Sequence, residues 1–132
     1  MEMRTVLDVD PTAAAPIWRQ IEDGVRRLVA SGALPVGAAV PSVRELARSL
    51  RVNPATVSKA YRRLTAAGLL TVRRGEGTFV SELSDDEREA ERRRLLDEGA
   101  SDYIQVATSV GAERAAAVRA IESLWPEDDS PA

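Results

Sequence analysis

Residues 41–80 read PSVRELARSLRVNPATVSKAYRRLTAAGLLTVRRGEGTFV. Pro41 biases Val40 towards an extended backbone, so no helix runs through this point. Ser42 and Glu45 are spaced as a capping box, each side chain able to satisfy a free N–H at a helix start. Val43, Leu46, Ala47 and Leu50 then fall at i, i+3, i+4 and i+7, one apolar face of a short helix, with Arg44, Arg48 and Arg51 off it. Asn53-Pro54 opens a second helix, because asparagine caps well and proline suits the first helical position, where its missing N–H has no partner. Its buried face is Val57, Ala60, Tyr61, Leu64 and Ala67, and Gly68 closes it. Ala55, Thr56, Ser58, Lys59 and Arg62 are left for the outside. Leu69 to Val72 and Thr78 to Val80 read as two strands around a turn in which Gly75 and Gly77 supply backbone freedom.

Two short helices followed by a two-stranded hairpin form the layout of a winged helix-turn-helix. The outer face of the second helix is small and polar at its N-terminal end and basic further on. That arrangement suits a helix approaching the major groove, with little bulk where backbones come close and donors for phosphates and base edges. Arg73 and Arg74 at a wing tip can reach a phosphate or a narrow minor groove. An arginine-rich helix face by itself reads equally well as solvated surface; joined to this motif and wing, it reads as a DNA-contacting face.

Charge distribution agrees. The chain carries a formal −3, but residues 1–41 hold −1, residues 42–80 hold +6 and residues 81–132 hold −8. Fields at physiological salt are screened over roughly 8 Å, so the local +6 governs phosphate contact rather than the total.

Taken together, Pro41 to Ala47, Val52 to Tyr61, Gly68-Leu69-Leu70 and Gly75 to Val80 resemble, in order and spacing, the DNA-binding domain of the GntR family of bacterial transcription regulators. Many members carry an arginine near the start of the recognition helix, where this chain has Pro54. The Asn-Pro form followed by Ser-Lys-Ala-Tyr is similar to the YtrA subfamily. The resemblance implies a DNA-contacting set. Ser42, Thr56, Ser58, Lys59 and Tyr61 would position the DNA backbone. Arg44 would reach a base edge, and Arg62, Arg73, Arg74, Gly75, Gly77 and Thr78 would contribute further contacts from the helix and wing.

Before this unit, Pro16 to Ser31 reads as a helix with Ile17, Ile21, Val25, Leu28 and Val29 in one stripe and Arg19, Gln20, Glu22, Arg26 and Arg27 off it. Trp18, where the family usually has tyrosine, reads as a packing residue in preference to an aromatic-ligand contact. Thr5 to Asp10 reads as a short strand or an arm, and Ala38-Ala39-Val40 as a short strand beside the wing.

After Val80, Ser84 followed by Asp85, Asp86 and Glu87 marks another helix start, with acids in the first turn to suit the helix dipole. One long helix is expected through Gly99, apolar from Leu96 onward at Ala100, Tyr103, Ala107 and Val110, with Ile104 and Val106 widening the stripe. Gly111 ends it. A second helix follows with Ala117, Val118, Ile121, Leu124 and Trp125 on one face. Two such helices cannot bury their stripes alone; they must pack on the winged unit or on a second copy. YtrA-type regulators have a short helical tail of this kind that forms the dimer, and the resemblance places Leu96, Tyr103, Ile104, Ala107, Val110, Ile121, Leu124 and Trp125 in that interface.

The expected architecture is therefore mainly α with a small β-wing. Residues 1–81 would be an N-terminal segment with the winged helix-turn-helix, 82–126 a helical dimerisation tail and 127–132 a disordered acidic terminus. The expected function is a sequence-specific DNA-binding regulator, as a homodimer on an inverted repeat in double-stranded DNA. Repression, with neighbouring transporter genes and its own promoter as targets, is what the resemblance implies. The alternatives are a small-molecule sensor with an effector pocket at the dimer interface, near Trp18, Tyr103 or Trp125, and a winged helix that binds protein.

No enzyme, cofactor or metal is expected. The chain has no histidine and no cysteine, which removes the commonest general base and the thiolate ligands. The acid pairs Asp85-Asp86 and Asp128-Asp129 lie at a helix start and in a tail, with no further ligand in view. One GntR branch fuses the winged domain to an aminotransferase-like domain, for which this chain is too short. With no long apolar run and no hydrophobic signal core, a cytoplasmic location without membrane contact is the expectation.

Overall fold

The computed structural model describes residues 7–127. Its elements are α1 (Ile17–Ser31), α2 (Val43–Leu50), α3 (Pro54–Ala66), β1 (Leu70–Arg73), β2 (Gly77–Val80), α4 (Asp85–Ser109) and α5 (Arg114–Leu124). The fold is mainly α with a β-wing, as the sequence predicts. Contacts group the chain up to Arg93 into one unit and from Arg94 onward into a second. The first turns of α4 thus belong with the winged unit. Apart from Glu127, the acidic terminus expected to be disordered lies outside the described residues, as do Thr5 and Val6 of the N-terminal segment.

The local signals explain the first unit's elements. Pro16 stands just outside α1 as its N-cap, in an extended conformation, rather than in the first turn. Ser42 and Glu45 form the capping box: Glu45 N–H donates to Ser42 Oγ at 3.1 Å and Ser42 N–H to Glu45 Oε1 at 3.4 Å. Asn53 Oδ1 accepts from Ala55 N–H at 2.8 Å, with Pro54 at the first helical position of α3. Gly68, in the left-handed region at φ 82°, ends α3: its N–H donates to Thr65 O, and Leu69 N–H reaches back to Leu64 O at 2.9 Å. The turn between α2 and α3 uses the same backbone conformation at Arg51 (φ 57°), the one non-glycine residue with positive φ among the described residues.

Helix α3 packs against α1, α2 and β1. The core joins Ile21, Val25 and Val29 of α1 to Leu46 and Ala47 of α2 and to Val57, Ala60, Tyr61 and Leu64 of α3. Leu69, Leu70 and Val80 close it from the wing, and Leu7, Leu34 and Val40 from the connecting segments. Full burial of a large aliphatic side chain contributes about 1.5–3 kcal/mol, and Ile21, Leu46, Leu64 and Leu70 are all fully buried.

In the wing, β1 and β2 pair antiparallel, with Leu70 opposite Val80 and Arg73 opposite Gly77. Gly75 turns the hairpin at φ 79°. The 38–40 segment lies beside it as expected, but as a single bridge, Ala39 to Phe79, supported by Val40 N–H to Thr78 O and Val80 N–H to Ala38 O. From Leu7 onward the N-terminal segment is a docked arm. Leu7 packs where a Cβ on Gly24 would collide with it. The Gln20 amide accepts from Asp10 N–H at 2.7 Å and donates to the carbonyls of Asp10 and Ala15.

In the second unit, α4 continues unbroken through Gly99 to Ser109. Tyr103 donates its hydroxyl hydrogen to Ala117 O on α5 at 2.8 Å, and Ala107 is buried. Among the described residues, no helix is long and apolar enough to cross a membrane.

A Cβ at residue 68 would meet open space, so Gly68→Ala isolates the conformational cost of a left-handed alanine. Urea denaturation should show a loss of about 1 kcal/mol. Arg51→Gly should leave stability unchanged or raise it, because it relieves the same strain. A Gly68→Ala variant as stable as the parent would contradict the helix-end geometry.

Candidate nucleic-acid interface

Packing fixes which side chains α3 shows. With Val57, Ala60, Tyr61 and Leu64 buried, the outward side carries Pro54, Ala55, Thr56, Ser58, Lys59, Arg62 and Arg63. Its N-terminal half is small and neutral, and the positive end of the helix dipole lies there. Arg62 NH1 donates to Ser58 Oγ at 3.2 Å, which ties two of the predicted contact residues along the helix surface.

On α2, Arg44 is exposed and pairs with no acid among the described residues. Ser42 Oγ accepts from Glu45 N–H, which leaves its hydroxyl hydrogen free to donate elsewhere. On the wing, the Arg73 guanidinium lies over the Phe79 ring at 4.4 Å from the centroid. Arg74 and Gly75 form the exposed tip, Gly77 pairs with Arg73, and Thr78 is half-buried with its carbonyl bonded to Val40 N–H.

Tyr61 departs from the predicted contact set. Its ring lies in the core and its hydroxyl donates to Pro41 O at 2.7 Å. Burial, with the charge of Glu45 adding to it, pushes the phenol well above its ordinary range, so it stays protonated and committed to that bond. Tyr61 therefore locks α3 to the segment leading into α2.

Sequence reading missed a buried ionic network. Glu22, placed off the apolar stripe, is in fact buried. Its Oε2 accepts from Arg63 Nε on α3 at 2.7 Å, and its Oε1 from Arg26 NH2 at 3.3 Å. Arg26 reaches on to Glu91 Oε1 of α4 at 2.9 Å. The network ties α1, α3 and the first turns of α4 together. Trp18 of α1 lies half-buried against the core, with Lys59 Nζ 4.4 Å and Arg63 Cζ 4.8 Å from its ring centroid. Glu22 and Arg26 stand four apart on α1, a spacing visible in the sequence, but the other partners lie 41 to 65 residues apart along the chain.

The residues assigned to a dimer interface divide by exposure. Ala107 is buried and Tyr103 half-buried, whereas Leu96, Ile104, Val110, Ile121, Leu124 and Trp125 are exposed, Leu124 at 82% and Trp125 at 71%. Of the residues considered for an effector, Trp18 has its ring occupied by Lys59 and Arg63, and Tyr103 spends its hydroxyl on Ala117. A cleft between the N-terminal arm and α1 is lined instead by Leu7, Asp8, Gln20, Asp23, Arg27 and neighbouring residues. No group of three or more acidic, histidine or cysteine residues among the described residues is arranged to hold a metal ion.

Three helices with a two-stranded hairpin after the third, and a basic, outward-facing third helix, define a winged helix-turn-helix protein. Comparison with known proteins takes this further. The family model for bacterial regulatory proteins of the gntR family matches residues 18–80. The HTH-type transcriptional regulator Rv1152 of Mycobacterium tuberculosis is 36% identical over 128 residues, covering 97% of this chain and 100% of that protein. The chain belongs to the gntR family. The HTH-type transcriptional repressor YtrA of Bacillus subtilis is 42% identical over 77 residues, which span 58% of this chain and 59% of the repressor. A GntR family transcriptional regulator from Listeria monocytogenes shares the fold, with a TM-score of 0.77 at 24% identity over 88% of this chain and 99% of that one. The AraR DNA-binding domain in complex with operator ORX1 superposes with a TM-score of 0.51 at 27% identity, over 57% of this chain and 93% of that one. The protein is thus a transcription regulator with a DNA-binding helix-turn-helix, in a family of regulators rather than enzymes.

Glu22→Gln should destabilise the winged unit by about 2 kcal/mol in thermal or urea unfolding. That is less than the 3–5 kcal/mol of a fully buried pair, because Arg63 is half-exposed and Arg26 keeps Glu91. A loss within a few tenths of zero would contradict the network.

Proposed function

We propose that this regulator acts as a homodimeric, sequence-specific repressor on an inverted-repeat operator. The observation that carries the reading is the division of α3. Its apolar face is wholly occupied by the core, which leaves a small polar N-terminal half and a basic C-terminal half facing outward in a segment of net charge +6. The repressor named YtrA and the operator-bound AraR domain support it by likeness.

Within that reading Arg44 is the base-reading residue. It is exposed and pairs with no acid among the described residues, and its planar fork can bond the O6 and N7 of a guanine together. Ser42, Thr56, Ser58 and Lys59 hold the phosphate backbone. Arg62, Arg73 and Arg74, with the wing residues Gly75, Gly77 and Thr78, extend that contact. Tyr61 is left out of the contact set, since its hydroxyl is already bonded within the core.

The tail makes the dimer. Leu96, Ile104, Val110, Ile121, Leu124 and Trp125 remain exposed on a single chain, and large apolar side chains so exposed suit burial against another apolar surface. A second copy is the cover proposed. A two-fold dimer would set its recognition helices about 34 Å apart, or a multiple of that, in successive major grooves.

Two sets of variants test these assignments. Arg44→Ala should cost roughly 1–3 kcal/mol on operator DNA and little on random duplex, so that sequence preference relaxes. Arg62→Ala should weaken both alike and lower the salt slope by about 1. Equal loss on the two duplexes for Arg44→Ala would remove it as the reader of a base. For the dimer, Leu124→Asp together with Ile104→Asp should shift the sedimenting species to the monomer mass. A double variant that sediments as the parent does would contradict the tail as the interface.

A further inference from the structure

We propose that Trp18 and Glu22 of α1 hold Lys59 and Arg63 of α3 as a preset pair of phosphate-contacting cations, so that α1 tunes DNA affinity without reading a base. The proposal rests on the DNA-binding reading above and adds positioning residues to it.

Lys59 and Arg63 stand four apart on α3, where two like charges repel. The structure places one indole against both of them, at 4.4 and 4.8 Å from the ring centroid. The negative face of the ring stabilises each cation there. Glu22 adds a fixed point: its Oε2 takes the Arg63 Nε–H at 2.7 Å, which leaves the four terminal N–H groups of that guanidinium unused by this bond. The Arg63 side chain stays 52% exposed, so those groups meet solvent. Glu22, Arg26, Arg63 and Glu91 balance in charge as a network, so what Arg63 offers a phosphate is chiefly its oriented, exposed donors.

Long basic side chains lose rotamer freedom when a phosphate orders them, and each such side chain costs affinity. A side chain already held over a ring loses less. The chemistry that fits two adjacent, oriented cations beside a recognition helix is the phosphate backbone of a duplex, which carries no base identity. Sequence preference should therefore be untouched by the Trp18 platform while overall affinity depends on it.

The test uses the full chain with two duplexes, its own upstream DNA and a random sequence, across a salt series. Trp18→Leu removes the ring and keeps apolar bulk, and Trp18→Tyr keeps a weaker ring. Each is measured alone and combined with Lys59→Ala, with Arg62→Ala as a separate control and thermal unfolding recorded for every protein. Trp18→Leu is expected to weaken binding to both duplexes by about two- to five-fold, the range of an exposed cation–π contact, with Trp18→Tyr in between. In the Lys59→Ala background the same change should cost less, because one of the two cations it positions is gone. If Trp18→Leu fails to fold, Trp18→Tyr carries the comparison. A purely packing role for Trp18 would lower the unfolding temperature and leave its effect on binding the same with or without Lys59; that result overturns the proposal. So does parental affinity for both Trp18 variants while Arg62→Ala loses binding, an outcome that leaves the DNA-binding reading standing. No binding of the parent protein to either duplex at low salt would remove both.

Discussion

The rest of the structure depends on how α3 is seated. A helix of 13 residues is marginal by itself in water, and its orientation comes from what covers its apolar face. Here Val57, Ala60, Tyr61 and Leu64 are buried against Ile21 and Val25 of α1, Leu46 of α2 and the base of the wing. Rotation by one residue would expose part of that face and bury Lys59 or Arg62 without a partner, at a cost of several kcal/mol. The Tyr61 bond to Pro41 and the Arg63 bond to Glu22 then fix the helix from two sides. The outward face is thus the residue of a packing solution, and its polar and basic character is what suits it to the DNA contact proposed for it.

Charge follows the same division. A total of −3 conceals a +6 segment that coincides with α2, α3 and the wing. Beyond Val80 the chain is strongly acidic, and its surface is unsuited to phosphate. That segment's exposed apolar residues sit among these acids, so they remain available to another apolar surface and not to a nucleic acid. The surface pairs on α4, such as Arg92 with Glu89 at 3.0 Å, add little to stability.

Much of this was legible in the sequence because the signals are local. The Ser42–Glu45 spacing, Asn53-Pro54, Gly68 and the Gly75 turn each act over a few residues, and all take the conformations they predict. The stripe Val57, Ala60, Tyr61 and Leu64 also marked the buried side of α3, but Ala67, read as part of it, is exposed just past the end of the helix. What could not be read was where polar atoms go once the chain is folded. Periodicity put the Tyr61 ring inside but did not say that its hydroxyl would be used up on Pro41. Glu22 and Arg26 looked like a surface pair one turn apart, because their other partners, Arg63 and Glu91, lie on α3 and α4, far along the chain. Arg51 carries no sign of its left-handed backbone, which glycine or asparagine would have announced. The exposure of Leu124 and Trp125 is likewise a property of the folded chain, since an amphipathic pattern shows that a face wants cover and not what covers it.

The measurement that tests the account most directly is the affinity of the intact protein for its own upstream DNA and for a scrambled duplex of the same length, over a range of salt. A seated, basic recognition helix in a two-fold dimer predicts preference for the upstream DNA by a factor of about 10³ or more, with log affinity falling steeply and linearly with log salt. Equal, weak binding to both duplexes at every salt concentration would contradict it.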